Sequence, residues 1–420
     1  MQQSKLFTKT RKEVPKDEVS KNAILLTRAG FIHKEFAGVY ALLPFGFRVV
    51  KKIEEIIRGE MNALGGQEVS MTALQDPAIW LKTNRWKDED VDNWFKTKLK
   101  NGSELGLATT HEEPLASLLT EHIFSYRDLP FSAYQFQVKF RNELRAKSGI
   151  LRGREFLMKD LYSFNRTEAD HQKFYKKVDQ AYRNIFNRVG IGDKTYLTFA
   201  SGGSFSKFSH EFQTVADSGE DVIYITKEKK NGEYVAINKE IFTDEITKDL
   251  GLKKSDFKEE KAIEVGNIFT LSTRFSEPLG LMFIDEKGKK QPVFMGSYGI
   301  GLGRLMGTVV EVLADEKGLV WPASISPMRV HLLALGSDEK TKNLAQEIYK
   351  TLEAEGIDVL FDDRDVRAGE KFADADLIGI TTRVILGDKT LADGTLEIKD
   401  RATDETKEMT LTHLITELKK

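Results

Sequence analysis

Two strand-like segments separated by a short polar loop constrain the fold of this chain more than any other feature. From Ser132, the run SAYQFQVKFRNEL alternates and is rich in aromatic residues, and REFLMKDLYSF has the same pattern. The loop between them, RAKSGILRG, is polar and contains two glycines. We predict an antiparallel hairpin, in which Arg141 and Glu143 alternate on the first strand and therefore point to one face of the sheet.

The predicted hairpin carries residue types that suit a ligand with both a phosphate and a flat base. Arg152 and Phe156 lie close together after the loop, and Asp160 follows in the same register. Arginine binds phosphate oxygens, often through two hydrogen bonds, while an aromatic ring can stack on a base. The alternative is a solvated strand with surface ion pairs, which explains one such pair more readily than the whole set.

The glycine-rich stretch GSYGIGLGRLMG, at residues 296–307, resembles a phosphate-binding loop. It fails the dinucleotide fingerprint G-x-G-x-x-G, because the third glycine position is Arg304 when counted from Gly299 and Met306 when counted from Gly301. The segment RLMGTVVEVLAD has helical periodicity. Arg304, at this strand-to-helix junction, can reach a terminal phosphate. Alternatively, it makes a surface ion pair at the start of the helix.

Two long helices are predicted at residues 47–64, preceded by Pro44, and at residues 169–189. Residues 227–261 are highly charged with only short apolar runs, which favours a small surface insertion. After Trp321, strand-like and helical segments alternate, which predicts an α/β domain of about a hundred residues. The predicted divisions of the chain are residues 1–226, 227–262, 263–323 and 324–420.

The composition excludes several classes of site. The chain has 420 residues, a formal net charge of −2 and no cysteine. It therefore forms no disulfide, thiolate zinc site or cysteine nucleophile, and it suits a reducing compartment. The balanced charge leaves any nucleic-acid binding to local patches. Because we find neither a secretory signal nor the ~18–20 apolar residues of a membrane helix, we expect a soluble cytoplasmic protein.

Several segments together resemble the class II aminoacyl-tRNA synthetases. FRNE…LRGREF and GIGLGR resemble motifs 2 and 3 of that class, and Pro44 before a long helix resembles motif 1, which forms a homodimer interface there. Along nearly the whole chain, the resemblance is to the bacterial-type prolyl-tRNA synthetase family. The matching segments are TRAGFIHKEFAGVYALLPFGFRVVKKIE, TTHEEP, KFRNELRAKSGILRGREFLMKDLYSF, SHEFQ, SGED, AIEVG and DDRDVRAGEKFADADLIGI. The resemblance implies an α+β catalytic domain built on an antiparallel sheet, followed by a small α/β anticodon-binding domain.

The resemblance also implies a reaction: ATP activates proline to prolyl-adenylate with release of pyrophosphate, and the prolyl group then passes to the 3′ end of the proline tRNA. Arg141 would hold the α-phosphate, so catalysis would be electrostatic positioning with no covalent step by the protein. Phe156 would stack on adenine, and Arg304 would stack on its other face and reach the γ-phosphate. Further ATP contacts are implied for Glu143, Arg152 and Gln213. Mg²⁺ would bridge the phosphates, held mostly by the nucleotide, and no zinc is expected.

For proline, the resemblance implies Thr110 and Glu112 of TTHEEP, whose carboxylate would meet the imino group, together with Arg141. The rest of the implied pocket is Met158, Asp160, Tyr162, His210, Phe212 and Ser297. The alternatives are core positions for Met158 and Phe212 and a structural role for His210. His111 is expected outside the pocket.

For tRNA, the resemblance implies that Arg145 and Lys147 in the hairpin loop face the acceptor end. Asp363, Arg364 and Lys371 in the last domain correspond to the family's anticodon-reading region. Ordinary surface charge is the alternative at each of these positions.

The sequence departs from the family pattern in four places. It lacks the large editing domain between motifs 2 and 3, so we expect no editing of mischarged tRNA in cis and a separate trans-editing factor. The run GGSFSKFSHEF is longer than the usual GGSFSHEF. Ser297 stands where many bacterial relatives have cysteine, and Asn267 stands where many have histidine.

Three other functions remain open at this point. One is a synthetase of the same subclass for threonine, glycine or histidine. Another is a non-catalytic paralogue that acts as a regulatory or tRNA-binding subunit, although Arg141, Arg152 and Arg304 are all present. The third is an ATP-dependent ligase that uses no RNA, against which the C-terminal α/β domain counts.

Overall fold

The computed structural model describes residues 1–15, 18–144, 148–201, 208–336 and 338–419. These residues form two compact units. The central unit comprises residues 36–40 and 53–308, and the terminal unit comprises residues 1–35, 41–52 and 309–420. This division differs from the predicted one, because the first segments of the chain group with its C-terminal part.

The described helices are α1 Lys21–Arg28, α2 Pro44–Ala63, α3 Pro77–Lys82, α4 Glu112–Leu119, α5 Glu168–Arg188, α6 Asp244–Asp249, α7 Ser276–Leu279, α8 Leu302–Leu313, α9 Glu339–Ala354, α10 Ala368–Ile378, α11 Asp388–Asp393 and α12 Leu411–Leu418. The strands are β1 Ile32–Phe36, β2 Val39–Leu42, β3 Gln67–Glu68, β4 Leu74–Gln75, β5 Phe95–Lys98, β6 Glu104–Leu107, β7 Phe131–Phe140, β8 Glu155–Asn165, β9 Thr195–Ser201, β10 Phe208–Val215, β11 Asp221–Thr226, β12 Ala236–Asn238, β13 Phe257–Ser272, β14 Met282–Ile284, β15 Lys290–Pro292, β16 Phe294–Gly301, β17 Val330–Ala334, β18 Val359–Asp362, β19 Thr382–Leu386, β20 Leu396–Asp400 and β21 Thr406–Met409. Within the part of the chain that is described, no helix is long and apolar enough to cross a membrane.

A nine-stranded sheet organises the central unit, in the order β10-β9-β12-β11-β13-β16-β8-β7-β3. All its pairings are antiparallel except β12 with β9 and β3 with β7. Helix α5 begins after Thr167, whose side chain accepts a hydrogen bond from Asp170 N at 3.1 Å. It buries a stripe that includes Tyr182 and Phe186 against one face of the sheet. The opposite face is therefore the one that is available for a site.

The predicted hairpin is confirmed as β7 and β8, which pair from Phe131 opposite Phe164 to Phe140 opposite Glu155. The predicted first strand is too long, however. β7 ends at Phe140, so Arg141 and Glu143 lie beyond the sheet and do not alternate along a strand. The reason is a change of partners: Arg141 N still bonds to Arg154 O at 2.8 Å, but Asn142 N bonds to Asn93 O at 2.9 Å.

The charged segment at residues 227–262 is not simply a surface insertion. Its strand β12 lies between β9 and β11, and the first part of β13 pairs with β11. Ala236, Ile237 and Ala262 are fully buried. Neighbouring residues of a strand point to opposite faces, so the burial of both Ala236 and Ile237 shows that β12 is covered on both sides. The charged residues around these short apolar runs give the segment its polar composition.

The α/β pattern predicted after Trp321 is confirmed. Strands β18, β17 and β19 are parallel, and β20 and β21 extend the sheet in antiparallel fashion. Helices α9 and α10 connect the parallel strands, as the alternating pattern indicates. Gly379 ends α10 with a φ of +75°, a left-handed conformation that glycine adopts without strain.

Candidate active site

One face of the central sheet carries a row of polar residues on adjacent strands. Glu211 on β10 lies opposite Asn267 on β13, which lies opposite Gly299 on β16. Gly299 in turn lies opposite Asp160 on β8, and Asp160 lies opposite Gln135 on β7. Because side chains alternate between the faces of a strand, this row points away from α5.

A cleft opens on this face between the hairpin and the start of α8. The residues that line it are Arg141, Glu143, Ile150, Leu151, Arg152, Gly153, Phe156, Met158, Glu264, Val265, Gly266, Asn267, Gly299, Gly301 and Arg304. Five residues predicted to contact ATP, and Met158 from the predicted proline pocket, are among them. Gly299 and Gly301 line the cleft without adding a side chain to it.

Arg304 lies in the first turn of α8 and is held in place by three acceptors. Nε donates to Leu151 O at 2.8 Å, and Nη1 donates to Glu264 O at 3.1 Å and to Glu264 Oε2 at 2.9 Å. Asn267 Nδ2 donates to the other carboxylate oxygen, Oε1, at 3.0 Å. Sequence reasoning did not identify Glu264, although it lies in the AIEVG segment used for the resemblance.

Arg141 lies on the other side of the same cleft. Its guanidinium is 5.4 Å from the centre of the Phe156 ring, and Nε and Nη2 are each 3.4 Å from Thr109 O. Burial, and then repulsion from Arg304, lower the pKa of Arg141. Two guanidinium groups facing one cleft make it a favourable place for an anion.

Gln213 is buried beside the cleft and is surrounded by carboxylates. Its Nε2 donates to Glu211 Oε2 at 3.0 Å and to Asp221 Oδ2 at 2.9 Å. Burial, followed by repulsion from Glu264, raises the pKa of Glu211 to about 8. Arg152 extends to this side, where its Nη1 is 3.4 Å from Glu220 Oε2.

A second polar cluster joins the start of α4 to strands β8 and β16. Thr110 Oγ1 donates to Glu112 Oε2, and Ser297 Oγ donates to Glu112 Oε1 at 3.1 Å. Tyr162 Oη is 3.5 Å from Thr110 Oγ1 and donates to Asp160 Oδ2 at 2.9 Å. Five of the residues predicted for proline therefore form one network.

Arg85 and Glu113 support this cluster and were missed from the sequence. Arg85 Nη1 donates to Glu113 Oε1 at 2.9 Å and lies 3.9 Å from Glu112 Oε2. Burial raises the pKa of Glu113 to about 7, and Arg85 opposes that change. Glu113 directly follows the TTHE residues, which was the available signal.

His210 and Phe212 are not on the cleft face, which corrects their predicted place in the proline pocket. The distance from the Tyr175 hydroxyl oxygen of α5 to His210 Nδ1 is 2.7 Å. The centre of the Phe212 ring lies 5.4 Å from that of Tyr182 and 5.2 Å from that of Phe186, both on α5. Since Glu211 and Gln213 point to the cleft, the residues alternating with them point to α5.

The predicted anticodon residues lie together at a groove of the terminal unit. Asp363 accepts hydrogen bonds from Ser4 N at 2.9 Å and Ser4 Oγ at 2.6 Å. Arg364 pairs with Asp362 and Asp374, and the Lys371 ammonium donates to Ala334 O at 2.9 Å and Asp362 O at 3.1 Å. All three side chains are thus engaged in contacts within the terminal unit.

Arg145 and Lys147, predicted for the tRNA acceptor end, lie outside the described residues.

The described residues contain no group of three or more histidine, aspartate or glutamate side chains arranged to hold a metal ion. Two residues that carry side-chain oxygen atoms, Glu264 and Asn267, line the cleft next to each other. Asn267 Oδ1 accepts from Gly299 N at 3.2 Å, which fixes the orientation of the amide.

Comparisons with known proteins identify the family to which the chain is similar. A family model described as the tRNA synthetase class II core domain (G, H, P, S and T) matches residues 95–313, and one described as an anticodon binding domain matches residues 325–420. The chain is 36% identical over 436 residues to the proline–tRNA ligase of Rhodospirillum rubrum, covering 100% of both chains. It is 37% identical over 424 residues to that of Rickettsia bellii, covering 97% of this chain and 96% of the relative.

Solved structures show the same fold. A prolyl-tRNA synthetase from Cryptosporidium parvum, complexed with halofuginone and AMPPNP, matches with a TM-score of 0.76 at 17% identity, over 95% of this chain and 76% of that one. The same protein complexed with L-proline and AMP matches with a TM-score of 0.74 at 16% identity, over 95% and 74% of the two chains.

Proposed function

The chain belongs to the proline–tRNA ligase family of class II synthetases, and we propose that the cleft between Arg141 and Arg304 is where it activates proline with ATP. The predicted family and fold class are confirmed, and none of the relatives described above is a non-catalytic paralogue. The observation that carries the proposed site is the convergence of Arg141, Arg304 and Phe156 on one cleft, beside the Thr110–Glu112 cluster.

At the nucleotide end, Arg141 binds the α-phosphate and Arg304 binds the γ-phosphate. Adenine lies between Phe156 and Arg304, with Glu143, Arg152 and Gln213 contributing further contacts. The proline carboxylate oxygen attacks the α-phosphorus, the bond to the bridging oxygen breaks, and pyrophosphate leaves. Charge builds on the α-phosphate oxygens during this step, so a guanidinium that is already in position lowers the barrier without any covalent bond to the protein.

The cleft also suits Mg²⁺ carried with ATP. A hard cation of this kind takes oxygen ligands and usually keeps phosphate and water among them, so two protein oxygens are enough. Glu264 and Asn267 are the residues that would hold it, because both line the cleft and both carry side-chain oxygen atoms. When bound, Mg²⁺ neutralises phosphate charge.

At the amino-acid end, Glu112 and Thr110 bind the imino group of proline, and Arg141 lies beside its carboxylate. Met158, Asp160, Tyr162 and Ser297 complete the pocket. Ser297 and Thr110 each hydrogen-bond one oxygen of Glu112, which orients that carboxylate before substrate arrives. Such preorganisation reduces the cost of ordering the site when proline binds.

In the second step, a hydroxyl of the terminal ribose of tRNA attacks the prolyl carbonyl carbon and AMP leaves. Arg145 and Lys147 guide the acceptor end. The groove formed by Asp363, Arg364 and Lys371 receives the anticodon. Because Arg364 and Lys371 are engaged in contacts within the unit, the exposed Arg367 and Lys342 of the same groove supply the positive charge for the RNA.

We further propose a homodimer through the Pro44 region, a cytoplasmic location, and removal of mischarged tRNA by a separate factor.

The proposal is tested by ATP–pyrophosphate exchange with each amino acid in turn, followed by charging of proline tRNA. Exchange should require proline, and Arg304→Ala should reduce it at least 100-fold, the scale of losing a charged transition-state contact. Arg183→Ala, which removes an arginine of a surface ion pair on α5, is the matched control. Exchange with another amino acid but not with proline, or equal rates for both variants, would overturn the proposal.

A further inference from the structure

Two lysines are completely buried on neighbouring strands, and they face opposite sides of the sheet. Lys139 on β7 and Lys159 on β8 both have 0% exposed surface. Lys159 Nζ donates to Tyr182 Oη at 2.6 Å and to Tyr298 O at 3.1 Å, on the α5 side. Lys139 lies opposite Phe156 and therefore points to the cleft side. A buried ammonium is costly without partners, so the partners of Lys139 indicate what it does.

Lys139 closes a ring of hydrogen bonds around the amino-acid end of the cleft. Its Nζ donates to Asp160 Oδ2 at 2.9 Å and to His111 Nδ1. The His111 backbone N–H donates to Tyr162 Oη at 3.1 Å, and that hydroxyl donates to Asp160 Oδ2 at 2.9 Å. The ring thus ties the loop before α4 to strands β7 and β8.

The neutral form of the His111 ring is the one that this hydrogen-bond arrangement requires. Burial, and then the nearby Lys139 charge, lower the pKa of His111 to about 4, so the ring is neutral near pH 7. Its Nε2–H donates to Thr72 O at 3.0 Å, which leaves Nδ1 to accept from Lys139. His111 lies between Thr110 and Glu112 in the chain, so holding its ring restricts the backbone from which these two side chains project.

We infer that Lys139 is a positioning residue for proline binding, acting through Asp160 and His111; the inference rests on the proposed function of the cleft. Asp160 Oδ2 receives three donors, from Lys139, Tyr162 and Gln135, the last at 3.0 Å. Oδ1 is buried and has no hydrogen-bond partner among the described residues. Lys139 therefore holds one carboxylate oxygen and leaves the other to accept from the imino group of proline.

The experiment measures proline-dependent ATP–pyrophosphate exchange for Lys139→Met, with Lys159→Met as an equally buried control on the opposite face. Lys139→Met should raise KM for proline at least about 10-fold, the scale of losing a hydrogen bond to a charged group, and change KM for ATP less than about twofold. Lys159→Met should change neither KM. Thermal unfolding of both variants reports any general loss of structure.

A double-mutant cycle separates positioning from simple stabilisation. If Lys139 acts through Asp160, Lys139→Met should change KM for proline far less in an Asp160→Asn background than in the wild type. Additive effects would overturn the inference. So would a normal KM for proline in folded Lys139→Met.

If Lys139→Met does not fold, Lys139→Gln takes its place. Gln keeps one N–H donor but loses the positive charge, so KM for proline should still rise, by less than in Lys139→Met, and an unchanged KM would overturn the inference. Failure of both variants to fold while Lys159→Met folds would show that Lys139 serves the fold and would also overturn the inference. Loss of proline-dependent exchange on Arg304→Ala tests the proposed function separately, so the two conclusions can fail independently.

Discussion

Arg304 and Glu264 form an ion pair across the floor of the cleft, with 2.9 Å between Nη1 and Oε2. The same nitrogen donates to the Glu264 main-chain carbonyl at 3.1 Å, so the arginine is anchored by the backbone as well as by the carboxylate. A phosphate that binds Arg304 would compete with the Glu264 carboxylate rather than with the main-chain acceptors. Glu264 would then be available to a cation that accompanies the phosphate.

Glu264→Gln should therefore weaken the response of the enzyme to Mg²⁺. The Mg²⁺ concentration for half-maximal pyrophosphate exchange is expected to rise roughly 10-fold, because a neutral amide is a poorer ligand than a carboxylate. Glu260→Gln, on the same strand and paired with Lys258, is the control. An unchanged Mg²⁺ titration for Glu264→Gln would count against the assignment.

Gly299→Ala should impair ATP binding. An added Cβ would lie 3.0 Å from Asn267 Oδ1, on the face of β16 that lines the cleft. We expect KM for ATP to rise about 10-fold, equivalent to ~1.4 kcal/mol. Gly303→Ala is the matched control, because its Cβ would meet no atom within 4 Å. At that helical position alanine should add about 0.5–1 kcal/mol of stability. Equal kinetics for the two variants would contradict this prediction.

Phe212→Leu should lower stability and leave proline binding unchanged. Phe212 is 1% exposed and packs against two aromatic rings of α5. Shortening it should cost about 1–2 kcal/mol in the free energy of unfolding, measured by denaturant titration. Tyr162→Phe, on the cleft face, should instead raise KM for proline, and it should also lower stability because the buried His111 N–H would lose its acceptor. A raised KM for proline in Phe212→Leu would restore that residue to the pocket.

Asp315→Asn should destabilise the terminal unit in a pH-dependent manner. Asp315 accepts two hydrogen bonds of 2.7 Å from Arg401, and this pairing lowers the pKa of the carboxyl from 3.8 to about 2. A lowered carboxyl pKa stabilises the fold above the ordinary pKa and loses that effect as the pH falls through the lowered value. We expect a cost of about 1 kcal/mol at pH 7, kept small because Asp315 is partly exposed.

The pH dependence of that cost is the measurement. The difference in unfolding free energy between Asp315→Asn and the wild type should shrink below about pH 4 and vanish only below about pH 2. Glu316→Gln, a neighbouring exposed carboxylate, should show no such trend. A cost that is constant from pH 7 to pH 2 would mean that the ion pair is not its source.

The predicted hairpin and the position of Arg304 followed directly from local patterns. Alternating aromatic residues define β7 and β8, and the glycine-rich run places Arg304 at the start of α8. Strand periodicity does not say which face of β10 meets the helix, however. The family resemblance placed His210 and Phe212 in the pocket, and the register of β10 with β13 shows that both face α5 instead.

Buried charges were the other source of error. Lysine in the middle of a strand usually indicates a solvent-facing position, so Lys139 gave no signal of burial. Glu264 and Arg85 are likewise ordinary charged residues in sequence, and their roles depend on contacts between distant segments. The short apolar runs of residues 227–262 are visible in the sequence, but they do not say that β12 lies inside the sheet.

The way β12 is built into the sheet decides where this chain could accept additional sequence. Removing residues 227–262 would take away the strand between β9 and β11 and the start of β13, leaving unpaired strand edges. The turn before β12 is different, because Lys230 and Glu233 exchange two backbone hydrogen bonds of 2.7 and 3.1 Å. Asn231 and Gly232 at its tip are exposed and have φ values of +51° and +88°. A folded domain grafted between them would begin and end at the same point of the surface, and every strand of the sheet would keep its neighbours.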